Sequence, residues 1–386
     1  MNNTGLLGLF ESQLSDLKGK NNLRHLPETV HHEREIEVNG HRMLNLSSND
    51  YLGLATDMAL REEFLRTVQP DNFLLSSSSS RLLTGNFGIY AELETLLAHK
   101  FGTESALVFS SGYHMNSGIL PAIADANTLI LADKLVHASI IDGIRLTDAH
   151  TIRYRHNNYE QLESLLNKHA SAYEKVIIVT ESIFSMDGDE ADLRCLVRLK
   201  QSYPNVMLYV DEAHAVGVRG IHGLGCAEEQ GCISEIDFLC GTFGKALASV
   251  GAYVVCKSVL KDYLVNKMRT LIFTTALPPL NISWTKFILE RLDSFTSRRE
   301  ALRQSGLRLR ETLLAKGYVC PSTSHIIPVM VGDSGEAILR AEEMQRKGFY
   351  VLPVRPPTVP EGTSRLRLSL TAALTDDEIT GLITCF

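Results

Sequence analysis

Between about residue 105 and residue 256, short apolar runs alternate with stretches of helical periodicity. The runs are ALVF, TLILA, TIRY, KVIIVT, VMLYV, DFLC and AYVVC. Each is nearly continuous in hydrophobic residues, as expected of strands buried on both faces of a mostly parallel sheet. Strands spaced by helices in this way predict an α/β domain. After residue 277 the pattern changes. The stretch PPLNISWTKFILERLDSFTSRREALRQSGLRLRETLLAKG predicts one long helix, with Pro278 and Pro279 near its start. Shorter α and β segments follow through IIPVMVG, EAILRAEEMQRKG, FYVLPV and SRLRLSLT. The expected organisation is an N-terminal arm (1–45), a large α/β domain (46–277) and a small C-terminal α+β domain (278–386).

The polar residues are as patterned as the apolar ones. ALVF runs into SSGYHMN, TLILA into DKLVHAS, KVIIVT into ESIFSMDGD, VMLYV into DEAH and DFLC into GTFGK. Ionisable side chains thus gather at the carboxyl ends of strands, where open α/β sheets bind ligands. One such end means little, because loops are polar anyway. Five in one sheet predict a site.

Within DFLCGTFGKALASVGAYVV the single lysine, Lys245, sits among small and apolar residues. A lysine taken at random is a surface residue snorkelling from an apolar base. A desolvated one has a lowered pKa and can form a Schiff base, and pyridoxal 5′-phosphate is its common partner. That cofactor makes further demands. Its ring nitrogen needs a buried carboxylate; Asp211 closes the apolar strand VMLYV, although Asp is also a favoured helix cap. Its phosphate needs helix N-terminal N–H groups and hydroxyls, for which Ser111, Gly112, Tyr113, Ser185 and Thr242 are placed. Its ring needs a stacking partner, for which His137 is the candidate. The glycines from Gly217 to Gly225 lack the spacing and position of a dinucleotide-binding turn.

Composition narrows the remaining options. Of 386 residues 44% are hydrophobic and 22% charged, as in ordinary soluble domains. The net charge of −7 argues against nucleic acid or an anionic membrane as partner. No apolar run reaches the length of a membrane span, and the N-terminus reads as no signal peptide. The seven cysteines are scattered with no C-x-x-C pair, so neither a disulfide framework nor a zinc site is expected, and a reducing cytoplasm fits best. The run Ser76 to Ser80 on its own reads as a flexible linker.

The stretches LNLSSNDYLGL, VFSSGYHMN, LVHASI, TESIFSMDGD, VDEAHAVGVRGIHGLG, GTFGKALASVGAYV and IFTTALPP, in this order, resemble the α-oxoamine synthase family of fold-type I pyridoxal-phosphate enzymes. The resemblance covers nearly the whole chain and implies an aspartate-aminotransferase-like fold and a homodimer. It implies that Lys245 forms the Schiff base and removes the amino acid's α-proton. Asp211 would hold the pyridinium, His214 bond the ring hydroxyl and His137 stack on the ring, with Gly112, Tyr113, Ser185 and Thr242 serving the cofactor. Thr274 and Thr275 would touch the neighbouring subunit's phosphate. Asn49 and Arg367 would meet the substrate carboxylate, and Arg24 and Thr358 the acyl substrate.

The stretch RPPTVPEGTSRLRLSLTA is most similar to the branch that condenses L-alanine with a pimeloyl thioester. Condensation of glycine with an acyl-CoA is the alternative within the family. A catalytically dead partner subunit is the alternative outside it, and retention of Lys245, Asp211 and both histidines argues against that. One departure stands out: LLSSSSSRLLTGN replaces the glycine-rich stretch of many relatives.

Overall fold

All seven apolar runs become strands of one sheet in the computed structural model, which describes residues 4–386. The chain starts with a helix, Thr4–Gly19, and three short strands, β1 (Val30–His32), β2 (Glu35–Val38) and β3 (His41–Asn45). The sheet strands follow: β4 (Ser105–Phe109), β5 (Thr128–Asp133), β6 (His150–Tyr154), β7 (Lys175–Glu181), β8 (Val206–Asp211), β9 (Phe238–Thr242) and β10 (Ala252–Cys256). Their order is β4-β10-β9-β8-β7-β5-β6. This is a mixed, mostly parallel sheet. Every residue of β4, β5, β9 and β10 is buried, which is why these runs are apolar throughout. The strand built on TIRY differs from expectation. β6 lies at the sheet edge and stays partly exposed.

The exception to parallel pairing is β10, antiparallel to both neighbours. A parallel return needs a crossover of a dozen residues or more. Only residues 243–251 separate β9 from β10, so the chain turns straight back, and this tight return carries Lys245. Gly241 permits close strand approach, since a Cβ there would lie 2.5 Å from the Tyr253 ring.

The expected long helix is two helices, Pro279–Glu290 and Thr296–Ala315, with a 3-10 turn Leu292–Phe295 between them. The break buries Leu292 and Phe295. The buried Arg299 then donates to the carbonyl of Leu292 at 2.8 Å and to that of Ile221 at 2.9 Å. Helix periodicity alone does not reveal a guanidinium that satisfies the freed carbonyl.

The chain divides into two units that differ from the expected boundaries. The larger comprises residues 50–185 and 189–301. It keeps the helix Pro279–Glu290, which packs on the helix Gly88–Phe101. The smaller comprises, among the described residues, 4–49, 186–188 and 302–386. It contains β11 (Ile326–Gly332), β12 (Phe349–Tyr350), β13 (Pro353–Val354) and β14 (Ser364–Ser369). The expected arm is no separate body. β3 pairs in parallel with β12, and the Ser369 N–H donates to the Leu46 carbonyl at 2.8 Å.

The serine run is ordered, contrary to the linker expectation. Ser77 is buried and donates to the Leu277 carbonyl at 2.6 Å, while the Ala276 N–H donates to the Ser79 carbonyl at 3.0 Å. Among the described residues no helix is long and apolar enough to cross a membrane.

Candidate active site

The larger unit gathers most of the expected residues at the carboxyl ends of its strands. Lys245 is half-buried in the 243–251 return. Its Nζ lies 2.8 Å from Nε2 of His214, and Nδ1 of His214 lies 2.7 Å from the hydroxyl of the fully buried Tyr51. The return is tight enough to hold Ala248 at φ 47, where a side chain is disfavoured; the indole of Trp284 donates to its carbonyl at 2.9 Å.

Asp211 ends β8 and is buried, in register with Glu181 at the end of β7. One carboxylate oxygen accepts from the Ala213 N–H at 2.9 Å, and the other from Nδ2 of Asn116 at 2.8 Å. The same Nδ2 lies 2.9 Å from Oγ of Ser139, which lies 2.8 Å from Nδ1 of His137. Tyr209 closes the network by donating to Oδ1 of Asn116 at 2.5 Å. One asparagine thus links His137 to Asp211.

His137 caps the helix Ala138–Arg145, accepting from the Ser139 N–H at 3.2 Å, while its own N–H donates to Glu181 at 2.5 Å. Desolvation pushes its imidazole below the usual value, opposed by the charge of Asp211. Burial raises Glu181 well above the carboxylate range, and Asp211 adds to that rise. Glu212, beside Asp211, is also buried and is pushed up to about 7 by burial, against hydrogen bonds from Ala227, Cys226 and Ser182. The glycine-rich 217–225 loop packs over this carboxylate. Gly225 has φ 112, and a Cβ there would meet Glu212 at 2.3 Å.

The phosphate requirement is met in outline. The helix Gly112–Ile123 is capped by Ser111, whose Oγ accepts from the His114 N–H. The N–H groups of Gly112 and Tyr113 have no acceptor within the helix, as in any first turn. A Cβ on Gly112 would touch Thr242 at 3.9 Å, so this N-terminus adjoins the β9 hydroxyl. Open N–H groups beside a hydroxyl suit a phosphate. With the buried carboxylate Asp211 and the amine of Lys245, the donor set fits pyridoxal phosphate. Ser185 is buried in the loop after β7. Thr274 is half-buried and Thr275 exposed, and Ser110 donates to the Thr275 carbonyl at 3.4 Å.

The other four expected residues lie in the smaller unit, as two pairs. Arg367 reaches Oδ1 of Asn49 at 3.3 and 3.4 Å and donates to Ser369 at 2.5 Å. Arg24 donates to Oγ1 of Thr358 at 2.8 Å across 334 positions of sequence. Arg365, on the same strand as Arg367, is buried and ion-paired with Asp187.

Pattern reading missed Tyr51, Asn116, Ser139 and Glu181. Their signal was present: each lies in or beside a stretch that carries a candidate residue.

The aminotransferase class I and II family matches residues 41–386. A protein of Pasteurella multocida (strain Pm70), provisionally named 8-amino-7-oxononanoate synthase, is 55% identical over 381 residues, spanning 98% of both chains. Among solved structures, a serine palmitoyltransferase from S. paucimobilis with bound PLP–myriocin superposes with TM-score 0.90 at 29% identity, covering 100% of this chain and 98% of its own. The 8-amino-7-oxononanoate synthase of Francisella tularensis superposes with TM-score 0.77 at 27% identity, covering 89% of this chain and 96% of its own.

Proposed function

We propose, for a chain that belongs to the aminotransferase class I and II family and within it to the pyridoxal-phosphate-dependent α-oxoamine synthases, that it condenses L-alanine with a pimeloyl thioester. The products are 8-amino-7-oxononanoate, carbon dioxide and the free thiol, the condensation step of biotin biosynthesis. The observation that carries the reaction class is the Lys245–His214 contact of 2.8 Å on the strand-end rim that also holds Asp211. The substrates are supported by the name of the 55% identical relative and by the 355–372 stretch.

Pyridoxal phosphate, when bound, supplies an electron sink for the charge left on the amino acid's α-carbon. Lys245 is the residue that holds it covalently. The Asp211 carboxylate, fixed by Asn116 and the Ala213 N–H, keeps the ring nitrogen protonated. His137 would stack on the ring, and His214 would bond the ring hydroxyl. The open N–H groups of Gly112 and Tyr113, with the hydroxyls of Ser185 and Thr242, take the phosphate. Thr274 and Thr275 serve the phosphate of a second copy, which makes the enzyme a homodimer with shared sites.

Arg367, steadied by Asn49, grips the alanine carboxylate with a planar fork. The Nζ of Lys245 takes the α-proton, and its polar contact with His214 Nε2 keeps the amine directed into the site. After the carbon–carbon bond forms and carbon dioxide leaves, Nζ returns a proton. Arg24 and Thr358 meet the acyl substrate. A cytoplasmic setting accords with seven free cysteines.

Product analysis with alanine and with glycine tests the proposal. 8-Amino-7-oxononanoate from alanine and pimeloyl thioester is the expected result. Turnover of glycine with an acyl-CoA, without that product, would overturn the substrate assignment. Borohydride reduction of the yellow holoenzyme should bleach its visible band and leave a modified Lys245.

A further inference from the structure

The sequence RHNNY follows β6 and belongs to none of the strand-end motifs assigned to the reaction. It brings His156 between two carboxylates. Nδ1 lies 2.9 Å from Asp133, the fully buried last residue of β5. Nε2 lies 2.6 Å from Asp189. Ionised carboxylates only accept, so both ring nitrogens must donate, and the ring is an imidazolium. Its edge packs on the buried Phe184, 4.4 Å between centroids.

Each carboxylate anchors a different loop. Asp133 accepts from the Leu135 N–H at 2.8 Å and so shapes the turn that leads to His137. Asp189 lies in the loop that carries Ser185, and its carbonyl accepts from the Phe184 N–H at 3.0 Å. Asn157 repeats the bridge. Its N–H donates to Asp133 at 2.8 Å, and its Nδ2 donates to Asp189 at 3.0 Å and to the Glu190 carbonyl at 3.1 Å. Asn157 adopts φ 50 to do this, a conformation that asparagine tolerates.

We propose that His156 is a positioning residue: its imidazolium locks the Asp133–His137 turn to the Ser182–Glu190 loop, so that His137 and Ser185 are presented to the cofactor as one rigid unit. This rests on the assignment of His137 and Ser185 to pyridoxal phosphate. Rigid presentation matters because a site that must be ordered when its ligand arrives binds that ligand more weakly. His156 follows the edge strand β6, whose end carries none of the residues assigned to the cofactor.

The test titrates apoenzyme with pyridoxal phosphate, following the visible band, and maps hydrogen exchange by peptide. His156→Gln removes the charge and one of the two donors. It should weaken cofactor binding on the order of tenfold and speed exchange in peptides covering 133–137 and 182–190, while β7 and β8 stay protected. His156→Lys restores a cation and should recover part of both losses. Leu97→Ala, a core substitution on the helix Gly88–Phe101, should lower the Tm without moving cofactor affinity, which separates positioning from general destabilisation.

Wild-type affinity and exchange in His156→Gln would overturn the proposal. So would an affinity loss no greater than that of Leu97→Ala at equal Tm loss. If His156→Gln fails to fold, Asp189→Asn decides, with a smaller loss of affinity in the same direction expected and unchanged affinity overturning the proposal. His137→Ala and Ser185→Ala keep the two readings apart. If neither weakens cofactor binding, the cofactor assignment fails; if they do and His156→Gln does not, the lock fails.

Discussion

Nδ2 of Asn116 lies 2.8 Å from Oδ2 of Asp211, and both residues are buried. The bond is charge-assisted, and the same amide holds Tyr209 on its oxygen and Ser139 on its nitrogen. Asn116→Ala removes the donor from the carboxylate and leaves the Tyr209 hydroxyl without its acceptor. A lost hydrogen bond to a charged group costs about 1.5–3 kcal/mol. Asn116→Ala should therefore lower kcat by roughly ten- to a hundredfold. Asn116→Asp places a second carboxylate against Asp211 and should be more damaging still at neutral pH. Steady-state kinetics with alanine and pimeloyl thioester, beside the visible spectrum of the holoenzyme, checks both. Equal kcat in Asn116→Ala and wild type would detach this asparagine from the reaction.

The two arginines of β14 give a second prediction. Period-two alternation puts Arg365 and Arg367 on one face, but their surroundings differ. Arg365 is 4% exposed and paired with Asp187; Arg367 is half-buried beside Asn49 and Ser369. Arg365→Met leaves a largely buried carboxylate without its cation and should destabilise the fold by about 3–5 kcal/mol. Arg367→Lys keeps the charge, loses the fork and should weaken alanine binding by about 1.5–3 kcal/mol with little change in Tm. Alanine titrations and thermal melts on both variants separate the roles. Normal alanine binding in Arg367→Lys would remove that arginine from the substrate.

The fold was legible because burial on both sheet faces forces continuous apolar runs, and every such run found its place as a strand. The strand-end rule likewise exposed Lys245, Asp211 and His137. What escaped shares one property: it depends on partners distant in sequence. Arg299, which satisfies the helix break at residues 291–295, is itself held by the Ile221 carbonyl 78 positions back. Asn116 looks like one polar residue on an apolar helix until Asp211, 95 positions on, is seen to accept from it. The serine run Ser76–Ser80 has linker composition, yet Ser77 and Ser79 are anchored to residues 276 and 277. Composition reports what a segment can do alone, and these contacts are made with segments far along the chain.

His156 supplies a pH prediction whose sign follows from its surroundings. Burial opposes its charge, but hydrogen bonds from the ring to Asp133 and Asp189 outweigh that and raise it from 6.5 to about 10. Tyr159, which donates to Asn157 at 3.1 Å, and Tyr154, at the end of β6, are the neighbouring groups that titrate later. A raised folded-state value means that the stabilisation is complete below about pH 6.5 and is lost as pH rises through about 10. With the side chain a quarter exposed, the contribution is on the order of 1–3 kcal/mol. Wild type should lose Tm between these limits faster than His156→Gln, because the variant lacks the titrating ring. Parallel Tm–pH curves for the two proteins would show that the imidazolium contributes nothing to stability.

Assembly gives the last prediction. Thr275 is exposed and Thr274 half-buried, in a segment joined to the cofactor side of its own chain by the bond from Ser110 to the Thr275 carbonyl. Phe273, just before them, is 72% exposed. A large exposed aromatic next to two hydroxyl residues suits a surface covered by another protein chain. If that chain is a second copy and the two threonines serve its phosphate, each active site needs residues from both subunits. A Lys245→Ala chain has no reactive amine but contributes intact threonines. A Thr274→Ala, Thr275→Ala chain has the amine but fails its neighbour. In a mixed dimer, one of the two sites joins the intact lysine to the intact threonines. With random mixing of equal amounts, about half the dimers are mixed and each regains one site of two, so roughly a quarter of wild-type activity should return. The measurement is activity against mixing ratio, with subunit exchange followed by mass-tagged chains. Exchange without recovered activity would assign the phosphate contacts to a single chain.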